Sequence, residues 1–168
     1  MSYDLIIDII LSRLFFVATF LCALTAGFLF AFAVVIMPGL KKLDNRSFIR
    51  TFQVIDGVIQ NGRPLFIVVW LGSITALIVS AIPSFSQMSN WNYNVIVFAT
   101  LAYFFGVQVS TVVYNIPLNN KLQKIDVANA SEAELDLARQ QFEAPWNVWN
   151  VRRTMIACLV TALLIAAG

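Results

Sequence analysis

Three long stretches without a charged residue constrain the fold of this chain more than any other feature. Residues 14–37, 64–82 and 95–113 contain no Asp, Glu, Lys or Arg. A helix needs about 20 residues, at about 1.5 Å each, to cross roughly 30 Å of hydrocarbon. Residues 154–168 are also uncharged but shorter. They reach the required length if their helix begins near Pro145, since proline is tolerated at the first helical position.

We therefore predict an all-α integral membrane protein with four transmembrane helices, at about 14–37, 64–82, 95–114 and 146–167, closed into a four-helix bundle. The composition agrees, because 60% of the residues are hydrophobic and only 12% are charged, whereas soluble domains have about 45–50% and about 25%. The 168 residues leave no room for a second sizeable domain, so we expect a single membrane domain over residues 1–168. A net charge of +2, scattered along the chain, excludes a nucleic-acid-binding surface.

The positive charges predict the orientation, because Lys and Arg accumulate in cytoplasmic loops. Ten of the 11 lie in the first and third loops. We expect these two loops in the cytoplasm, and both termini and the second loop, residues 83–94, on the other side, in a bacterial inner membrane. Trp91 and Tyr93 of the second loop are typical of a membrane–water interface. The ten charges are Lys41, Lys42, Arg46, Arg50, Arg63, Lys121, Lys124, Arg139, Arg152 and Arg153.

Both cytoplasmic loops are predicted to contain amphipathic helices. In the first loop, apolar residues recur at helical spacing, and Gly62 and Pro64 then end this helix and start the second span. In the third loop, Ser131 and Glu134 form a capping box that starts another helix, which Pro145 breaks or bends. The apolar residues of the first loop are Phe48, Phe52, Ile55 and Ile59.

The absence of histidine excludes many kinds of catalytic site. Ser-His-Asp triads, haem on a proximal histidine and histidine-rich metal sites all need this residue. The two cysteines, Cys22 and Cys158, are too few for an iron–sulfur cluster and differ in predicted depth by roughly 10 Å. We expect both to be reduced, buried packing residues, and we expect no metal and no organic cofactor.

Polar side chains gather at one end of the third and fourth predicted spans. Gln108, Thr111 and Asn115 share one face of the third span. Pro117 disfavours helix at Ile116, so we predict that this span ends there, on the cytoplasmic side. The fourth span starts on the same side, with a polar face formed by Trp146, Trp149, Asn150 and Arg153.

We expect these two polar faces to meet and form a pocket. A buried arginine needs an anionic partner or ligand. Asp56 and Glu143 are the internal candidates, and without them an anionic or enolic ligand fits. The alternative interpretation is structural: Asn and Arg cap helix ends, and Trp and Arg anchor helices at the interface. The pocket is expected to contain Asn115, Asn119, Asn150 and Arg153, with Trp146 and Trp149 as its roof.

Two short motifs resemble a known family. Residues 115–119 read N-x-P-L-N and residues 146–153 read W-x-x-W-N-x-x-R. They are similar to the signatures of the small four-span membrane proteins grouped with the anthrone oxygenases, many of which have no known function. The resemblance covers essentially the whole chain. It implies oxygenation of an anthrone to an anthraquinone without a metal or a flavin.

The resemblance also assigns roles to the polar residues. Arg153, Asn115 and Asn150 would stabilise negative charge on the oxygen of an enolate. The aromatic rings would stack on a flat, apolar, aromatic small molecule. The general base stays open between Asp56, Glu143, a tyrosine such as Tyr114, and water. The substrate-binding candidates are Asn119, Trp146, Trp149, Gln108 and Thr111.

Two other functions fit the same sequence. The first is a non-catalytic membrane protein, either an accessory subunit or a binder of lipid or quinone. The second is a small transporter, which ranks lower because no inverted repeat is visible and no acid lies within a span. Membrane lipid is an expected partner in every case. Whether the chain is an enzyme, and whether it forms an oligomer, stays open at this point.

Overall fold

The computed structural model describes the backbone of residues 3–82 and 91–168, and the side chains of residues 9–82 and 93–168. These residues form helices and turns without a strand, which confirms the all-α prediction. Most of the second loop, where we expected interfacial aromatics, lies outside the described residues, as does the side chain of Trp91. The α-helices are α1 (Tyr3–Ala31), α2 (Met37–Leu40), α3 (Asn45–Gln60), α4 (Pro64–Ala81), α5 (Trp91–Tyr103), α6 (Ile116–Gln123) and α7 (Glu132–Ala167).

Four helical segments among the described residues are long and apolar enough to cross a membrane. The protein is therefore an integral membrane protein with four spans. Small side chains, such as Ala18, Ala99 and Ala157, are fully buried where the spans pack, and they let the helices approach closely. The spans are Ile9–Leu40, Pro64–Ala81, Tyr93–Gln123 and Glu132–Ala167, called spans one to four below.

Span three does not end at Ile116, so that prediction is wrong. Two π-helical segments, Phe104–Val109 and Thr111–Asn115, lie within the span, and α6 continues to Gln123. The wider π-helical turns change which side chains face the neighbouring helices. Pro117 then falls in the first turn of α6, directly after the second π-helical segment.

Span four begins well before Pro145. Helix α7 starts after Ser131, whose side chain and that of Glu134 form the predicted capping box. The helix then continues through Pro145 to Ala167, so the prediction that a helix starts near the proline is wrong. Phe142 and Trp146 are buried on either side of Pro145, and their packing outweighs the backbone hydrogen bond that the proline removes.

Helix α3 covers one end of the bundle, which we call the α3 end. The carboxylate of Asp44 accepts a hydrogen bond from the backbone N–H of Ser47 at 2.9 Å, which caps the helix and lowers the pKa of Asp44. Phe52 contacts the rings of Phe142 and Trp146, with centroids 4.5 and 5.5 Å apart. Gly62, at φ +73°, turns the chain from α3 into α4, a conformation that favours glycine.

One arginine ties the α3 end to span four. The Nε of Arg139 lies 2.7 Å from the carboxylate of Glu143, and its terminal nitrogens donate to the carbonyls of Lys41 and Leu43 at 2.9 and 2.8 Å. Its guanidinium also lies 4.4 Å from the ring centroid of Phe48. Glu143, one of the two predicted acid partners of the buried arginine, is therefore engaged elsewhere.

Span two and span three are joined by hydrogen bonds over part of their length. The hydroxyls of Ser73 and Tyr103 are 2.9 Å apart, and Gln108 donates to the carbonyl of Trp70 at 3.0 Å. From Trp70 towards Pro64, residues of both spans line a common cavity instead. The two spans are thus held together in the part away from the α3 end and separated near the α3 end.

The two cysteines are free thiols, as predicted. Cys22 is buried in the core, but Cys158 is exposed on the outside of the bundle. The expectation of burial is therefore wrong for Cys158, because its helix face points away from the other spans.

Candidate functional site

A cavity of about 1000 Å³ lies between spans one, two, three and four at the α3 end. Its walls are mainly apolar and aromatic, and most of its polar groups come from α3, span three and α7. Such a cavity, apolar with a few convergent polar groups, is the usual form of a small-molecule site. The polar and charged side chains of its lining include Asp56, Gln60, Arg63, Thr111, Asn115, Asn119, Asn120 and Arg153.

Arg153 is a buried cation with neutral partners. Its side chain is on α7, and the residue is only 7% exposed. Its Nε and one terminal nitrogen donate to the Oδ1 of Asn150 at 3.2 and 2.9 Å, and the other terminal nitrogen donates to the Oγ1 of Thr111 at 3.0 Å. Among the described residues, no carboxylate lies within ion-pair distance of it.

Asp56 is a buried carboxyl group with neutral partners. It lies on α3, lines the cavity and is 2% exposed. Its Oδ1 accepts from Asn119 at 2.7 Å, and its Oδ2 accepts from Gln60 at 2.6 Å and from Gln123 at 2.9 Å. Gln60 and Gln123 were not predicted as part of the site. The four-residue spacing of Gln60 from Asp56 is a detectable signal, whereas Gln123 joins only because span three continues past Pro117.

Trp146 connects the hydrogen bonds around Asp56 with the surroundings of Arg153. Its Nε1 donates to the Oδ1 of Asn119 at 2.7 Å, and Asn119 in turn donates to Asp56. The Arg153 guanidinium lies 5.5 Å from its ring centroid. Trp146 is 2% exposed, so that only a margin of its ring borders the cavity.

Asn115 contributes a free acceptor to the cavity lining. Its Nδ2 donates to the carbonyl of Trp146 at 3.3 Å. Its Oδ1 is buried and has no hydrogen-bond partner in the part of the chain that the structure describes. Buried polar atoms are rarely left without a partner, so this oxygen is an unsatisfied acceptor within the wall of the cavity.

Asn150 lies behind the cavity rather than in its lining. Its Nδ2 donates to the carbonyl of Leu29 at 3.3 Å, which holds its Oδ1 towards Arg153. The sequence placed Asn150 beside the substrate. Its contacts make it the residue that positions the guanidinium.

Trp149 and Gln108 do not line the cavity. Trp149 stacks on Tyr114, with centroids 3.4 Å apart and an angle of 7° between the rings, and Arg152 lies 4.8 Å from its centroid. This group is on the outside of the bundle, so Trp149 does not roof the pocket. Gln108 instead donates the hydrogen bond to the carbonyl of Trp70 that joins spans two and three.

Much of the cavity wall comes from residues that the sequence analysis did not single out. Phe28 of span one and Phe66 of span two contact each other edge to face, with centroids 5.3 Å apart. Trp70 lies beside them in the lining. No sequence signal distinguishes these aromatics from residues that face lipid, because both kinds sit in uncharged spans.

A comparison with known protein families matches the anthrone oxygenase family over residues 57–163. No curated protein and no solved structure gives a match. The family match covers more than half of the 168 residues and includes the cavity residues Arg63, Thr111, Asn115, Trp146 and Arg153. The chain therefore belongs to the anthrone oxygenase family.

Proposed function

We propose that this protein is a metal- and flavin-free oxygenase that acts on a flat, apolar, phenolic or enolic substrate in the cavity. The observation that carries this proposal is Arg153, a buried cation that lies beside a mainly apolar space and has no carboxylate partner in the part of the chain that the structure describes. A buried arginine normally meets an anion. An anion that forms on a bound substrate would supply the missing charge.

The chemistry of an anthrone fits such a site. Its central ring carries a methylene whose C–H is acidic because the resulting charge spreads to the ketone oxygen. Loss of the proton gives an enolate, which transfers an electron to O₂ and combines with it to form a hydroperoxide. Loss of water from the hydroperoxide leaves a second ketone. One oxygen atom of O₂ enters the product and the other leaves as water, so anthrone and O₂ yield anthraquinone and H₂O.

Arg153 would hold the enolate oxygen. Its guanidinium is fixed from behind by Asn150 and Thr111, and fixed donors stabilise a developing oxyanion without reorganisation during the reaction. The low polarity of the cavity walls would strengthen this interaction.

Asp56 is the base that the geometry favours. It is the one carboxylate among the described residues of the cavity lining, while Glu143 is bound to Arg139 and Tyr114 stacks outside on Trp149. In an anthrone the acidic carbon lies across the central ring from the ketone. A base and an oxyanion-binding arginine must therefore be apart, and Asp56 and Arg153 share the cavity without forming an ion pair.

The flat rings of the substrate would contact Phe28, Phe66 and Trp70, which are the less buried aromatics of the wall. Aromatic pairs favour offset or edge-to-face contacts, and these side chains offer both. Apolar substrate and O₂ both concentrate in a bilayer. In the orientation that we propose, the cavity opens near the cytoplasmic face of a bacterial inner membrane.

Oxygen consumption by the purified protein with an anthrone as substrate tests the proposal. We expect Arg153→Ala to lower the rate by about 10²- to 10³-fold, the usual loss for one oxyanion donor. Arg152→Ala is the matched control, because this neighbouring arginine lies over Trp149 outside the cavity. The proposal fails if the protein oxidises no anthrone in a panel. It also fails if Arg152→Ala lowers the rate of oxygen consumption as much as Arg153→Ala does.

A second candidate function is the binding of a quinone or a lipid without chemistry. The observation that favours it is the exposed apolar rim of the cavity, which includes Leu24, Leu65 and Ile116. The same assay separates the two functions: a protein that binds quinones but consumes no O₂ would be a carrier or an accessory subunit.

A further inference from the structure

A second cavity, of about 500 Å³, lies between the α3 ends of spans three and four. Among the described residues, the two cavities share no lining residue. Asn119 and Asn120 of α6 line the larger cavity, whereas Leu118 and Lys121 of the same helix line the second one. We call the second cavity the lysine groove. The lining residues that matter here are Leu118, Lys121, Leu122, Lys124, Leu137 and Gln141.

The floor of the lysine groove is apolar. Leu122 and Phe142 are each 2% exposed and belong to the apolar core beneath α3, and Leu118 packs against that core. Leu137 lies at the edge of the groove and is 55% exposed. An alkyl chain in the groove would therefore remove apolar surface of Leu137 from contact with water and reach the core residues beneath it.

The unpaired charges of the lysine groove are positive. Lys121 and Lys124 are exposed, and neither ammonium group forms an ion pair or a hydrogen bond with any residue that the structure describes. The side-chain amide of Gln141 is exposed and likewise has no partner within the described ranges. The groove thus offers two cations and a neutral donor to an anion from outside the chain.

The two carboxylates of the groove accept hydrogen bonds from their own segments. Asp126 accepts from the Nδ2 of Asn129 at 2.8 Å and from the backbone N–H groups of Ala128 and Asn129 at 3.1 and 3.3 Å. Glu134 accepts from the backbone N–H and the hydroxyl of Ser131 at 2.8 and 2.7 Å. Local donors therefore hold both carboxylates, and neither forms an ion pair with the lysines.

The depth of the lysine groove matches the headgroup region of a bilayer. Span three ends at Gln123, two residues after Lys121, and the groove also includes the first turns of span four. A ligand there would have its polar part at the membrane surface and its apolar part towards the hydrocarbon. Phospholipids have this arrangement, and basic pockets between spans bind anionic headgroups.

We propose that the lysine groove binds an anionic phospholipid, whose phosphate meets Lys121 and Lys124. Its headgroup would lie against Gln141, and an acyl chain would follow Leu118 and Leu137. The inference does not depend on the chemistry in the larger cavity. A zwitterionic phospholipid fits less well, because its ammonium group would lie near two cations while the carboxylates of the groove are already engaged.

Native mass spectrometry of the purified full-length protein in detergent tests this proposal. Phosphatidylglycerol and phosphatidylcholine with the same acyl chains are titrated separately, and the fraction of protein that retains one lipid gives an apparent Kd for each. We expect phosphatidylglycerol to bind about 10-fold more tightly. Lys121→Gln/Lys124→Gln should weaken phosphatidylglycerol binding by about 10- to 30-fold, since each lysine near an anionic headgroup contributes about fivefold.

Two matched controls locate the site. Lys41→Gln/Lys42→Gln removes the same charge from the exposed turn between α2 and α3, outside the groove, and should leave the affinity unchanged. Gln141→Glu keeps both lysines but adds a carboxylate within the groove, so it should weaken binding. Gln140→Glu adds the same charge outside the groove and should not. Unchanged unfolding temperatures in detergent would show that the variants are folded.

The outcomes decide between a defined site and a general attraction of charge. Equal losses for the two lysine pairs, or for the two glutamine variants, would show that lipid responds only to overall charge and would overturn the inference. Equal affinity for the two lipids, or no retained lipid, would overturn it as well; a groove that instead receives a segment of another protein predicts the latter. None of these measurements involves anthrone oxidation, so the inference and the proposed function stand or fail separately.

Discussion

Two buried residues of opposite charge border the same cavity and do not pair. Arg153 is held by an amide oxygen and a hydroxyl, and Asp56 is held by three amide nitrogens. Each charged group is thus solvated by fixed protein dipoles. These dipoles lower the free-energy cost of burying the charge but do not neutralise the charge. A direct ion pair would fill the space between them. Instead, neutral partners hold the two side chains, which both line one cavity.

Asp56→Asn tests the role of that carboxylate as a base. We expect the rate of oxygen consumption to fall by about 10²- to 10⁴-fold, the range typical of general-base catalysis, while anthraquinone still binds. Asp44→Asn is the matched control, because Asp44 is an exposed cap at the start of the same helix. If Asp56→Asn kept the wild-type rate, water or another group would have to be the base.

The polar residues could be predicted from their types and spacing, but their roles could not. Thr111 and Asn115 follow from one polar face of the third predicted span and Arg153 from another at the start of the fourth, and all three line the cavity. Trp146 and Trp149 belong to the same motif and lie three residues apart on the same helix. Yet the ring of Trp146 points into the bundle and the ring of Trp149 points out of it. Which amide atom of Asn115 is free depends on a backbone carbonyl from another helix, and a sequence pattern does not contain that contact.

At the scale of elements, Pro117 and Pro145 lie inside the helical spans where the sequence predicts boundaries. Pro117 begins a new α-helical segment after a π-helical one, and Pro145 is held in α7 by the packing around it. Local rules for proline describe an isolated helix. Tertiary packing and π-helical turns override these rules here, and neither leaves a signal in the local sequence.

The capping box of α7 offers a measurable test at this scale. Ser131→Ala removes the hydroxyl that accepts from the backbone N–H of Glu134, and we expect it to lower the free energy of unfolding by about 1 kcal/mol. Ser131→Asp should keep most of the stability, since a carboxylate also caps a helix. Thermal unfolding in detergent measures both. Equal unfolding temperatures for wild type and Ser131→Ala would show that packing alone fixes the start of α7.

At the scale of the whole molecule, the four spans and their order could be predicted because the absence of charge over about 20 residues is a strong physical signal. The cavity could not be predicted. Its walls are assembled from Phe28, Phe66 and Trp70, and nothing in their sequence context separates an inward from an outward ring. The separation of spans two and three beyond Trp70 is likewise a property of packing.

The orientation remains a prediction that a topology experiment can check. A reporter enzyme that works only outside the cytoplasm, joined after Gly168, should be active, because the positive charges favour cytoplasmic first and third loops. The same reporter inserted after Lys42, in the first loop, should be inactive. Reversed activities at the two positions would contradict the proposed orientation.

On the proposed function, the separation of spans two and three would determine how this protein meets its substrate. Since the exposed rim of the cavity is apolar and lies within the spans, a ligand can reach it from the hydrocarbon without crossing water. The relevant concentration is then the mole fraction of substrate in the bilayer, not its molarity in the suspension. Adding empty lipid at a constant total amount of substrate dilutes the substrate that the protein encounters, and apparent affinity becomes a property of the protein and its membrane together.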